Sequence, residues 1–179
     1  MTIQPVNLQL DHGEAKHEAR RYARDNPEVT LGEYLPAWAG NPTVRLVKSP
    51  KLIFFDLGVQ RVLSGHLRGL TGEQYATAMV AQILTTLQAL GVRAESSFLL
   101  TSGQLEVDLI LEPQDALLAF EVKSRNSVSR RDAGPIERAR HVLGERYRAG
   151  VVVYRGERIE RLTETVFAVP DWWLLGFEE

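Results

Sequence analysis

Apolar positions recur at helical spacing most clearly over residues 72–90, GEQYATAMVAQILTTLQAL. There Tyr75, Met79, Ile83, Leu87 and Leu90 fall on one stripe and Gly91 stops the run. Thr71, with Glu73 and Gln74 behind it, suits the start of that helix. Three strand-like segments follow: AESSFLLT, QLEVDLIL and ALLAFEVKS. A second helix, GPIERARHVLGERY, opens with Pro135 near its first turn. VVVYR, apolar without alternation, reads as a strand covered on both faces. Upstream, KLIFFD reads as a strand set off by Ser49-Pro50, with a short helical turn after it. TLGEYLPAW suggests a short helix stopped by Pro36 and Gly40, and residues 10–26 a polar, peripheral helix or a loosely ordered stretch. Helix, three-stranded meander, helix, strand is the order of a mixed α/β core.

Two of those strands carry acids in their interior. Residues 105–125 read LEVDLILEPQDALLAFEVKSR. Alternation along a strand sets Leu105, Val107, Leu109 and Leu111 on one face and Glu106, Asp108 and Ile110 on the other. In the next strand Ala119, Glu121 and Lys123 share a face. Pairing Glu112 with Leu117 leaves a four-residue loop, Pro113 to Ala116, a common hairpin length. That register sets Asp108 opposite Glu121 and Glu106 opposite Lys123, whereas a shift by one residue separates the acids by face.

Carboxylates held face to face repel each other, and one takes up a proton unless a cation intervenes. Mg²⁺ relieves the conflict with oxygen ligands from one or two carboxylates and keeps waters for a phosphate. A lysine beside it stabilises charge developing at phosphorus. Asp108, Glu121 and Lys123 are therefore candidate catalytic residues, with Asp108 and Glu121 as metal ligands. The competing reading is a solvated hairpin face in which Glu106 and Lys123 form a routine cross-strand ion pair.

These residues resemble the core of the PD-(D/E)XK nuclease superfamily, in which an Asp ends one strand and Glu-x-Lys sits on the next. Asp108, Glu121, Val122 and Lys123 match it, and "VD…EVKS" is similar to archaeal-type Holliday junction resolvases. A broader resemblance, over about residues 30–175, is to the uncharacterised domain that follows an AAA+-type ATPase module in many prokaryotic proteins. NPTVRLVKSPKLIFFDLGV, EVDLIL, FEVKSR, VVVYRGE and AVPDWWLL carry it. The resemblance implies a restriction-endonuclease-like fold, a mixed central sheet flanked by helices, over residues 46–179. Residues 1–45 would be a helical appendage left from a preceding module. It also implies Mg²⁺ at Asp108, Glu121 and the Val122 carbonyl. Two departures stand out. No G-x-x-x-x-G-K-[ST] occurs, so no ATP site of that kind is expected and an ATPase would act as a partner. The glutamate such families carry on the long helix is replaced by Thr77, with Glu73 one turn earlier and Gln82 further on.

Charge adds one further candidate. The chain has 179 residues and a formal charge of −2, so only local clustering points to nucleic acid. Residues 123–148 hold eight basic against three acidic side chains. Of these, Arg125, Arg130 and Arg131 directly follow the Glu-x-Lys strand and suit phosphate binding, against the alternative of a solvated Arg/Glu helix face. Trp172 and Trp173 could stack on bases or pack at the sheet edge, and packing is expected. Asp56 is expected to be a turn acid, and the four histidines form no ligand spacing. The chain has no cysteine, which excludes disulfides and thiolate catalysis, and it shows neither a secretory signal pattern nor an apolar run long enough to span a bilayer. A cytoplasmic domain is expected, either a Mg²⁺-dependent phosphodiesterase acting on nucleic acid (or its degenerate descendant) or a non-catalytic binding module of an ATPase system.

Overall fold

The computed structural model describes residues 32–40, 49–65, 69–174 and 176. The helix expected over residues 10–26 lies outside them. Strand β1 (Gly32–Leu35) pairs antiparallel with β2 (Lys51–Phe54). The short helix expected in TLGEYLPAW is thus a strand instead. Leu35 precedes Pro36, and the proline ring disfavours helical backbone in the residue before it. This segment also joins the core. Leu35 and Trp38 are buried, Trp38 N–H donates to the Phe98 carbonyl at 2.8 Å, and Phe98 N–H donates to that of Pro36 at 3.0 Å.

Helix α1 (Leu57–Ser64) starts where the Asp56 carboxylate accepts the Val59 N–H at 2.8 Å, so Asp56 is a helix cap. Helix α2 (Gly72–Ala89) starts with a capping box: Gln74 N–H donates to Thr71 Oγ1, and Thr71 N–H donates to Gln74 Oε1, both at 3.1 Å. The two orphan donors of the first turn are satisfied reciprocally. The meander follows as β3 (Glu95–Leu100), β4 (Glu106–Glu112) and β5 (Leu117–Lys123). After a 3-10 turn at Arg130–Ala133 come α3 (Gly134–Leu143), β6 (Tyr147–Tyr154), β7 (Glu160–Arg161), β8 (Val166–Pro170) and the single turn α4 (Asp171–Leu174). The second helix is shorter than its apolar pattern suggests. Gly144 leaves helical backbone with φ 69°, and the strand read as VVVYR begins four residues early, at Tyr147.

Among the described residues β3-β4-β5-β6-β8-β7 form one sheet. β5, β6 and β8 run parallel and the other neighbours antiparallel. The fold is mixed α/β with a central six-stranded sheet flanked by helices. On one face, α2 and the β1–β2 ribbon pack Tyr75, Met79, Ile83, Leu35 and Ile53 onto Phe98, Leu109, Leu111, Phe120, Val122 and Val153. On the other, α3 packs Ile136, Ala139 and Leu143 onto Leu99, Val107, Ile110, Leu117, Ala119, Val152 and Val166. Burial on both faces accounts for the unbroken apolar run of β6. No helix among the described residues is long and apolar enough to cross a membrane.

The side-chain alternation expected for β4 fails at one point. Ser97 pairs with Ile110 and Leu99 with Val107, so Asp108 and Leu109 together stand against Phe98. This is a β-bulge. It sends Val107 to the α3 face, while Leu109 and Leu111 pack on the α2 face.

Gly150 of β6 lies beneath α3, where an added Cβ would overlap Ile136 and crowd Tyr147 and Val166. Gly150→Ala is expected to destabilise the fold by about 1–3 kcal/mol in urea titrations. An unchanged midpoint would show that α3 is not held against the sheet as described.

Candidate functional site

The register expected for the acid hairpin is the one found: Leu109 stands against Phe120, Ile110 against Ala119 and Leu111 against Leu118. Beyond Leu109 the ladder gives way. Val122 N–H donates to Asp108 Oδ2 at 2.8 Å, so a side chain replaces a backbone partner. In a strand a residue's N–H and C=O point to the same side. The Val122 carbonyl therefore faces the same gap. Glu121 and Lys123 project from β5 beside it, with Lys123 Nζ donating to Glu121 Oε1 at 2.7 Å. The structure brings Asp108, Glu121, Val122 and Lys123 together at the point where β4 and β5 part.

The cross-strand ion pair expected between Glu106 and Lys123 does not form. Lys123 turns to Glu121, two residues back on its own strand, and Glu106 pairs with Lys51 of β2. The bulge is the cause, since the residues before it no longer keep the alternation of those after it. Lys51 was missed by sequence reasoning. It lies in an ordinary apolar strand pattern, and nothing local links it to β4.

Burial dominates the electrostatics. It raises the carboxyl of Asp108 above its ordinary value, against the lowering effects of the Val122 N–H, Lys51 and Lys123. Glu121 rises from 4.5 to about 7, first because it is buried and next because the Asp108 charge stands beside it; the Lys123 contact opposes both. Glu121 is 8% exposed, and its Oε2 is fully buried without a hydrogen-bond partner. A buried carboxylate oxygen with no donor is costly. The Asp108 charge acts on it from nearby, and carboxylate oxygens are the hard donors that Mg²⁺ takes. The residues present fit that ion. Among the described residues no group of three or more His, Cys, Asp or Glu side chains could hold a metal, so the donor set has two carboxylates.

The arginines divide. Arg125 pairs with the buried Asp132, whose carboxylate also accepts the Ser129 N–H at 2.7 Å. It thereby shapes the loop after β5 while remaining over half exposed. Arg130 and Arg131 lie exposed on the 3-10 turn that follows. Thr77 lies half-buried on α2. Trp172 is half-buried and donates to the Gly156 carbonyl at 3.1 Å. Trp173 is 54% exposed, against the expectation that both tryptophans pack. One helical turn cannot aim two adjacent side chains at the same surface. His141 is exposed, and the other histidines lie outside the described residues.

The raised pKa of Glu121 gives a pH signature. Between about 4.5 and 7 the folded chain holds a proton that the unfolded chain has released, so this group's contribution to stability falls as pH rises through that window. In EDTA, urea titrations from pH 5 to 8 are expected to show wild type losing on the order of 2 kcal/mol more than Glu121→Gln. Parallel curves would show that Glu121 ionises as an ordinary surface acid.

A family model described as a domain of unknown function, DUF4143, matches residues 71–174. No curated protein and no solved structure matches the chain. The matched segment carries α2 and all of Asp108, Glu121, Val122, Lys123, Arg125, Arg130 and Arg131, whereas Lys51 precedes it. With more than half of its length matched, the chain belongs to the DUF4143 family.

Proposed function

We propose that this chain acts on nucleic acid as a Mg²⁺-dependent phosphodiesterase of PD-(D/E)XK type. One observation carries the reading: a buried glutamate oxygen without a hydrogen-bond donor, set near a second, part-buried carboxylate at a gap between strands. A pair strained by its own charge is what a cation relieves, and perturbed acids of this kind cluster at functional sites. Asp108, Glu121 and the Val122 carbonyl would hold the ion. Mg²⁺ bound there would supply Lewis acidity toward a phosphodiester oxygen. The Val122 N–H fixes the Asp108 carboxylate in direction. Lys123, part-exposed beside Glu121, orients an attacking water or stabilises charge developing on the phosphoryl oxygens. Arg130 and Arg131 offer exposed charge to the backbone, and Arg125 is already committed in part to Asp132.

A second reading is favoured by the donor count. Two carboxylates without the helix glutamate bind a single ion more weakly than three, which suits a degenerate descendant that binds nucleic acid without cutting it. The DUF4143 match is compatible with a domain that works beside an AAA+-type ATPase, so such a module would serve an ATPase in trans.

Thermal unfolding with Mg²⁺ or Mn²⁺ tests the ion. A cation binding only the folded state at one hundred times its Kd adds about 2.7 kcal/mol, an increment Asp108→Ala should abolish. No shift in wild type removes the metal. Incubation with branched, single-stranded and duplex DNA and with RNA tests the chemistry. Cleavage is expected to fall at least about 100-fold in Glu121→Ala and in Lys123→Ala. Activity surviving both would place the chemistry elsewhere, and salt-sensitive binding without cleavage would favour the module.

A further inference from the structure

We infer that Lys51 is a second phosphate-binding cation of this site, brought over β4 by the β1–β2 ribbon and exchanged from Glu106 to a nucleic-acid phosphate. This rests on the reading of the acid gap as a nucleic-acid site.

Lys123 and Lys51 approach the gap from different elements, β5 and β2. Each is held by one acid, Lys123 by Glu121 and Lys51 by Glu106. Both charges act on Asp108, lowering its pKa against the effect of burial. The Lys51 ammonium lies 4.7 Å from the centroid of the Phe98 ring, the residue facing the bulge that contains Asp108. The ring's negative face keeps the ammonium over β3 and β4 rather than out in solvent. Placement is therefore fixed by packing, while the charge partner is weakly held. The Lys51 and Glu106 side chains are 33% and 48% exposed, and an ion pair so open to water contributes little to stability. A phosphate arriving at the acid gap competes with Glu106 for this lysine at small cost. Glu106 is then the residue that keeps the cation in check, and its removal should help binding.

That sign separates the inference from a purely structural pin. Fluorescence anisotropy of labelled single-stranded and duplex DNA, in EDTA so that nothing is cut, supplies the readout. Lys51→Met is expected to weaken binding about 3- to 10-fold and to reduce the slope of log K against log salt by about one contact. Lys51→Arg should restore the slope, and Glu106→Gln should tighten binding. The Glu106→Gln gain should vanish in the Lys51→Met background. If Lys51→Met and Glu106→Gln both lower the melting temperature while the salt slope stays at its wild-type value, Lys51 is a pin and the inference is overturned. Lys123→Met distinguishes the two levels. A loss there with none at Lys51 overturns this inference alone. Wild-type protein that binds neither DNA overturns the underlying reading and this one with it.

Discussion

A single hydrogen bond, Val122 N–H to the Asp108 carboxylate, decides the character of this sheet. A central strand normally gives that N–H to a neighbouring carbonyl, and an orphan would be costly. Here a side chain takes the place of the ladder, so β4 and β5 can part without leaving the donor unsatisfied. The bulge at Asp108 and Leu109 turns the aspartate into that position, and the Val122 carbonyl shares the opening. Everything distinctive about the site follows: two carboxylates near each other, partly withdrawn from water, with the charges of two lysines acting on Asp108.

The surrounding packing is what makes this strained arrangement tolerable. Leu109, Phe120 and Val122 are anchored under α2, and Ile110, Ala119 and Val152 under α3, so the strands carrying the acids are held on both faces. The parallel strands β5, β6 and β8 align Lys123, Tyr154 and Pro170 at their carboxyl ends. In open α/β sheets that edge is where ligands bind. Tyr75 of α2 ties the same edge together, its hydroxyl donating to Asp171 at 2.6 Å beneath the Arg155 guanidinium. Burial and that contact raise the Tyr75 hydroxyl well above its ordinary value, so it stays a neutral donor. Burial works against the acids and for the hydrophobic clusters within a few residues of sequence. Such local conflict in an otherwise consistent fold is of the kind found at functional or strained sites.

Much of this was legible in the chain. Period 3.6 over residues 72–90 and Thr71 before it specify α2 and its cap, and the four-residue loop after Glu112 specifies the hairpin register. The register brings Asp108 toward Glu121, and the bulge then sets the aspartate's final position. What escaped was non-local. Strand β8 and the two-residue β7 have little pattern of their own and exist through pairing with β6 and with each other. The extended form of Gly32–Leu35 depends on β2 and on Pro36. The bulge in β4 carries no sequence mark, yet it overturned the side assigned to Val107 and the partner assigned to Lys123. Lys51 reaches the site from 55 residues before Glu106, a distance no local motif spans.

The claim on which the account depends is that the Asp108 and Glu121 carboxylates share a cation. Anomalous diffraction from crystals soaked in MnCl₂ addresses it directly. The account predicts a manganese peak about 2.1 Å from an oxygen of each carboxylate and near the Val122 carbonyl. A well-ordered gap with no peak, both acids keeping their lysine and backbone partners at saturating Mn²⁺, would contradict it.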